Sequence, residues 1–132
     1  MKQLIQLKEP IGKISDPINL FNKIKRINID YEQENLIVFY LNTSTQIIKN
    51  EIIFKGGLNE CSIDPKTLFR KALLNNAFSI IIAHNHPSGN LKPSSSDMEI
   101  TQKLNEIGKL ISIKLLDHII FNKKEFYSLN DG

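Results

Sequence analysis

Residues 78–97 read FSIIIAHNHPSGNLKPSSSD, and the apolar run that opens this stretch decides the architecture. Phe78 to Ala83 is short and rich in isoleucine, the signature of a buried strand, and it carries His84 and His86 out of its carboxyl end. In extended backbone the side chains at i and i+2 share a face, so the two imidazoles converge. Pro87 then turns the chain, and Ser88-Gly89-Asn90 lets it double back. From Ser94 onward Ile100, Leu104, Ile107 and Ile111 recur at helical spacing, which puts Asp97 in the first turn of a helix starting beside the strand end.

Two neutral imidazoles and one carboxylate make a three-ligand zinc site with a fourth position open to water, the pattern of catalytic zinc. Water on such an ion has its pKa lowered to about 7 and becomes a nucleophile at neutral pH. No general base lies within this stretch. Each piece also has a plain reading. A lone His-x-His pair is commonly two hydrogen-bonded or surface histidines, and Ser-x-x-Asp opening a helix is a capping box. The conjunction of strand, His84-x-His86-Pro87, six residues, Ser94, two residues, Asp97 and helix favours the metal site.

That order of residues resembles the JAMM motif of the JAB/MPN metalloprotease superfamily, with His84, His86, Pro87, Ser94 and Asp97 all in place. The fuller string HNHPSGNLKPSSSD is similar to the RadC-like branch, bacterial proteins usually labelled as DNA repair proteins. Phe54-Lys55-Gly56-Gly57-Leu58-Asn59 upstream, and Leu116-Asp117-His118-Ile119-Ile120 with Tyr127-Ser128 downstream, look like the same branch. The likeness covers about residues 30 to 130. It implies an α/β fold: one domain of JAB/MPN (cytidine-deaminase-like) type, a mixed sheet flanked by helices.

The resemblance further implies a glutamate ahead of the histidines that activates water. Glu34 fits best, immediately before the apolar run Asn35 to Leu41, a strand suited to burial on both faces. Glu32 and Glu51 are fallbacks, and a solvated glutamate at a strand end is the plain alternative for Glu34. The roles implied are zinc held by His84, His86 and Asp97, Glu34 as base, and Ser94 as donor to the oxyanion. The activity implied is a metallopeptidase cleaving a peptide or isopeptide bond of a protein or peptide substrate. The alternative is a DNA repair or recombination accessory protein that binds DNA or a protein partner; a third reading is a catalytically silent interaction module. RadC-like proteins commonly carry a helix-hairpin-helix segment ahead of this domain, and residues 1 to 30 are too short for one.

The remainder of the chain sets bounds. Its 132 residues suit one domain, residues 1–132, and 41% hydrophobic with 23% charged residues is ordinary for a globular protein. No apolar run approaches a membrane span, and MKQLIQLKEP lacks a secretory core, so the expected compartment is the cytoplasm. The single cysteine, Cys61, forms no internal disulfide and reads as a packing residue. Without Pro-Cys-x-x-Cys or His-x-Glu the chain is not a zinc nucleobase deaminase. A net charge of +3 permits weak nucleic-acid contact without requiring it. The small clusters Lys23-Ile24-Lys25-Arg26 and Lys123-Lys124 read as solvated faces.

Helices are expected from Asp16-Pro17 to about Ile27, with Ile18, Phe21 and Ile24 on the apolar side, and over about 65 to 76. Strands are expected at about 35–42 and 46–55 around an Asn42-Thr43-Ser44-Thr45 turn, and at about 111–116, 118–121 and 126–129. Residues 1–15 read as a loose or strand-like lead. His118 reads as a strand histidine hydrogen-bonded near the site, with direct ligation as the lesser alternative.

Overall fold

The Asp-Pro dipeptides do what their chemistry predicts. In the computed structural model, which describes residues 16–55 and 63–130, Asp16 and Asp64 each accept a backbone N–H two residues on, and Pro17 and Pro65 open α1 (Pro17–Ile24) and α2 (Pro65–Leu74). The lead over residues 1–15, the Gly56 to Asn59 stretch and Cys61 lie outside the described residues. On α1 the buried side chains are Leu20, Phe21 and Ile24, whereas Ile18 is 57% exposed. The expected apolar side is therefore corrected: Leu20, four residues before Ile24, shares its face, whereas Ile18, six before it, does not.

Five strands form one mixed sheet in the order β2-β1-β3-β4-β5, with β1 at Asn35–Leu41, β2 at Ile47–Lys55 and β3 at Ser79–Asn85. β1 runs antiparallel to β2 and β3, while β3 runs parallel to β4 (Lys114–Phe121), and β5 (Phe126–Ser128) closes the edge. The strands of a parallel pair need a crossover, and α3 (Ser95–Ile111) supplies it between β3 and β4. Every residue of β1 and β3 is buried, as a sheet covered on both faces requires. One face packs Ile37, Phe39, Leu41, Ile81 and Ala83 against α1; the other packs Leu36, Val38, Tyr40, Ile80 and Ile82 against α2 and α3.

The last part of the chain departs from expectation. Residue 111 belongs to α3, and the segments 111–116 and 118–121 are replaced by a single strand, β4. Ser112 in the left-handed conformation ends the helix, and Gly108 lets the chain return, since a Cβ there would lie 2.3 Å from the Ile113 carbonyl oxygen. The polar pair Asp117-His118 does not break the strand. Ile80 faces Leu115 and Ile81 faces Asp117, so Leu116 is the extra residue of a bulge. Asp117 is satisfied there by the His118 N–H, the Ser128 hydroxyl and the Asn130 N–H. Among the described residues no helix is long and apolar enough to cross a membrane.

Candidate metal centre

Strand alternation aims the site. Leu36 lies opposite His84 in the antiparallel β1–β3 ladder, so continuing the register puts Glu34 opposite His86 on the same face. That face is the one covered by α2 and α3, where the β3-α3-β4 crossover brings the start of α3 to the carboxyl end of β3. His84 lies inside β3 rather than beyond its end, fully buried; His86 follows it at the edge and is half-buried.

On the opposite face, Asn35 and Asn85 form a buried amide clamp. Asn85 Oδ1 accepts from the Asn35 N–H at 2.9 Å and from Asn35 Nδ2 at 3.2 Å, and Asn85 Nδ2 donates to the Gln33 carbonyl at 2.9 Å. Asn35 Nδ2 also donates to the Asp30 and Gln33 carbonyls at 2.9 and 3.0 Å. The clamp ties the turn before β1 to the strand bearing the histidines, and Glu34 is held between them. Sequence reasoning missed both amides; the available signal was a polar side chain adjoining an otherwise apolar strand.

Asp97 serves the helix and the site at once. Ser94 caps α3, its hydroxyl oxygen accepting the Asp97 N–H at 3.0 Å, while Asp97 Oδ2 accepts the Ser94 N–H at 2.8 Å. The capping box therefore exists, and it holds the Asp97 carboxylate beside His84 and His86. Asp97 Oδ1 lies 3.2 Å from His84 Nε2, and Oδ2 lies 3.1 Å from His86 Nε2. The two Nε2 atoms are 3.1 Å apart. Glu34 Oε2 stands slightly further off, 3.8 Å from His84 Nε2. Glu34, His84 and His86 form a group able to hold a metal ion, their donor atoms all within 4.8 Å of one another. Asp97 is nearer still, which makes His84, His86 and Asp97 the tightest set and Glu34 its outlying neighbour. Ser94 is exposed, and its oxygen already accepts from the helix, leaving the hydroxyl proton to donate. The fallback glutamates are elsewhere: Glu32 is exposed, and Glu51 accepts from the Tyr40 hydroxyl at 2.8 Å and pairs with Lys49 and Lys71.

The donor set fits a cation. His86 Nδ1 lies 2.7 Å from the Asn90 carbonyl, which can only accept, so the Nδ1 proton is committed there and Nε2 faces inward as a lone pair. A carboxylate and inward-facing imidazole nitrogens only 3.1–3.2 Å apart repel unless a positive charge sits among them. These spacings approach the edge of a tetrahedron of ligands at zinc distances, about 3.3 Å. Without an ion, the same crowding favours a proton on His86 and an ionised Asp97. The hydrogen bond to Asp97 is the main cause that raises the His86 pKa, against burial. Burial alone would push the Asp97 carboxyl up, but the two imidazoles beside it and the Ser94 backbone N–H hold it far below the ordinary carboxylate range. Burial raises the pKa of Glu34, opposed by the two histidines and reinforced by Asp97. His118, in β4, has its Nε2 2.8 Å from His84 Nδ1; burial pushes its pKa down to about 3 and keeps it neutral.

Comparison with known proteins follows the same lines. The chain is 45% identical over 102 residues to a UPF0758 protein of Chlorobium chlorochromatii, covering 77% of this chain and 46% of that one. A UPF0758 protein of Methanosarcina mazei is 39% identical over 125 residues, 95% of this chain and 55% of the relative. One from Clostridium perfringens is 43% identical over 131 residues, 99% of this chain and 56% of the relative. The chain thus spans about half the length of these curated relatives. Residues 14–132 match the RadC-like JAB domain, nearly the whole chain, and the protein belongs to that family.

Proposed function

We propose that this domain is a zinc-dependent hydrolase of the JAMM type that cleaves a peptide or isopeptide bond through a zinc-activated water. One observation carries the reading: His84 Nε2, His86 Nε2 and the Asp97 carboxylate crowd one buried spot at 3.1–3.2 Å. In this proposal those three residues hold the ion. Zinc bound there supplies a Lewis acid and a water whose pKa is lowered to about 7. Glu34 takes the proton of the attacking water and returns it to the leaving amine, a task suited to a buried carboxylate whose pKa is raised. Ser94, at the exposed rim, donates a hydrogen bond from its hydroxyl to the oxygen of the substrate carbonyl as charge develops there. The polypeptide substrate and a cytoplasmic setting belong to the same proposal.

The test begins with metal content by mass spectrometry on wild type, His84→Ala and Asp97→Ala, purified without chelator. About one zinc per chain is expected in wild type and little in either variant. Fluorogenic peptide and isopeptide substrates then separate binding from chemistry: Glu34→Gln should retain metal and lose roughly 100-fold or more in hydrolysis. Wild type that takes up no zinc even when supplied with it would sink the proposal.

A further inference from the structure

We infer that Thr101 and His118 are positioning residues that lock His84 in its Nδ1–H tautomer, with the Nε2 lone pair turned toward His86 and Asp97. The inference rests on the metal-centre reading above and adds residues outside the ligand set.

Its starting point is an acceptor. Thr101, one turn into α3 from Asp97, places Oγ1 2.9 Å from the Asp97 carbonyl oxygen and 2.6 Å from His118 Nδ1. A hydroxyl has one proton, and the carbonyl has none to offer. With the Thr101 proton on the carbonyl, Oγ1 accepts from His118 Nδ1–H. His118 is 1% exposed, so it is a neutral ring with one proton, and its Nε2 is then an acceptor. That Nε2 lies 2.8 Å from His84 Nδ1, which must donate. The remaining nitrogen of His84 has no proton and points at the acid cluster.

The series His84, His118, Thr101, Asp97 carbonyl therefore begins and ends on the ligand set. It links β3, β4 and α3, and its last acceptor belongs to the residue whose carboxylate approaches His84 Nε2 at 3.2 Å. One residue thus fixes the tautomer of His84 through its backbone and faces the resulting lone pair with its side chain. His86 receives the same treatment by a shorter route, from the Asn90 carbonyl. A ligating imidazole whose second nitrogen donates to a fixed acceptor is oriented and made more basic, and loss of such a partner costs about 10–100-fold in metal affinity. The opposite polarity is physically distinct: a proton on His84 Nε2 would donate to Asp97 and satisfy the cluster without any ion.

Three measurements test it. Nitrogen-15 NMR of metal-free wild type should find the His84 proton on Nδ1; a proton on Nε2 overturns the inference whether or not the protein binds zinc. Zinc affinity, read by competition with a chromophoric chelator, should weaken about 10–100-fold in Thr101→Val and His118→Leu. Thr101→Ser and His118→Gln keep the hydroxyl or an amide able to accept and donate, and should stay within a few-fold of wild type. Thr101→Val is nearly isosteric, so it reads out even if His118→Leu fails to fold. The cobalt-substituted visible spectrum should shift in the same two variants. Wild-type affinity in a folded Thr101→Val overturns the role, whereas absence of zinc binding in wild type overturns the metal centre and leaves the NMR result to judge the relay.

Discussion

His86 is the residue through which the site senses pH. Its Nε2 lies 3.1 Å from Asp97, and that hydrogen bond, against burial, raises its pKa above the ordinary 6.5. A proton and a metal ion compete for the same lone pair, so zinc affinity should fall as pH drops through the raised value, and chelator competition across neutral pH measures the slope. In the metal-free protein the sign reverses. The His86–Asp97 contact is fully present below the unfolded histidine value and is lost as pH rises through the folded one, so thermal stability in chelator should decline on that side. Asp97, with its lowered pKa, stabilises above the ordinary carboxylate value of 3.8 and loses that contribution as pH falls. Asn85 makes a separate prediction. Replacing it with alanine takes the side-chain acceptor from the buried Asn35 N–H, and should cost about 1–3 kcal/mol in denaturant unfolding. His84, His86, Ser94 and Asp97 were legible in the sequence because fourteen residues contain them all. Thr101 and the two amides were not, because the amides' partners are set by strand pairing and Thr101 meets His118 only once α3 packs on β4.

At the scale of elements, α3 is the part on which the site depends most. Its first turn holds Asp97 by the capping box, and Ser94→Ala should cost about 1 kcal/mol of stability, with Ser94→Thr retaining most of it, as judged by urea melts. Its last turn presses on β4: Gly108→Ala would drive a Cβ into the Ile113 carbonyl at 2.3 Å and should destabilise by about 1–3 kcal/mol, since backbone on both sides has to shift. The beginnings of helices were plain in the sequence, because Asp-Pro and Ser-x-x-Asp cap and start a helix by local chemistry. The end of α3 and the run of β4 were not. A left-handed Ser112 and a bulge at Leu116 are invisible to periodicity, and Asp117-His118 looked like a break because its partners, Ser128 and Asn130, follow ten or more residues later.

At the scale of the molecule, the site is assembled from three segments that meet only when the fold is complete: the turn before β1, the end of β3 and the start of α3. An ion bound this way stabilises the native state alone, by about 2.7 kcal/mol when its free concentration is 100 times its dissociation constant. Wild-type melting temperature should therefore climb with zinc concentration, and Asp97→Ala should show little response in the same calorimetric scan. The separation also explains what could be read in advance. Glu34 lies fifty residues before His84 and emerged only through likeness to a family, because no local rule joins a strand end to a histidine so far along the chain.

The alternation that places Glu34, His84 and His86 on one face of the sheet and Asn35 and Asn85 on the other gives the gene a parity constraint. Inserting or deleting a single codon within Ser79–Ala83 would flip the residues that follow in β3, sending His84 and His86 toward α1 and Asn85 toward the acid cluster while Glu34 and Asn35 stay in place. A change of two codons would restore the facing. Length variation tolerated in this strand should therefore come in even steps, while the polar loop between Pro87 and Pro93 carries no such rule of odd and even.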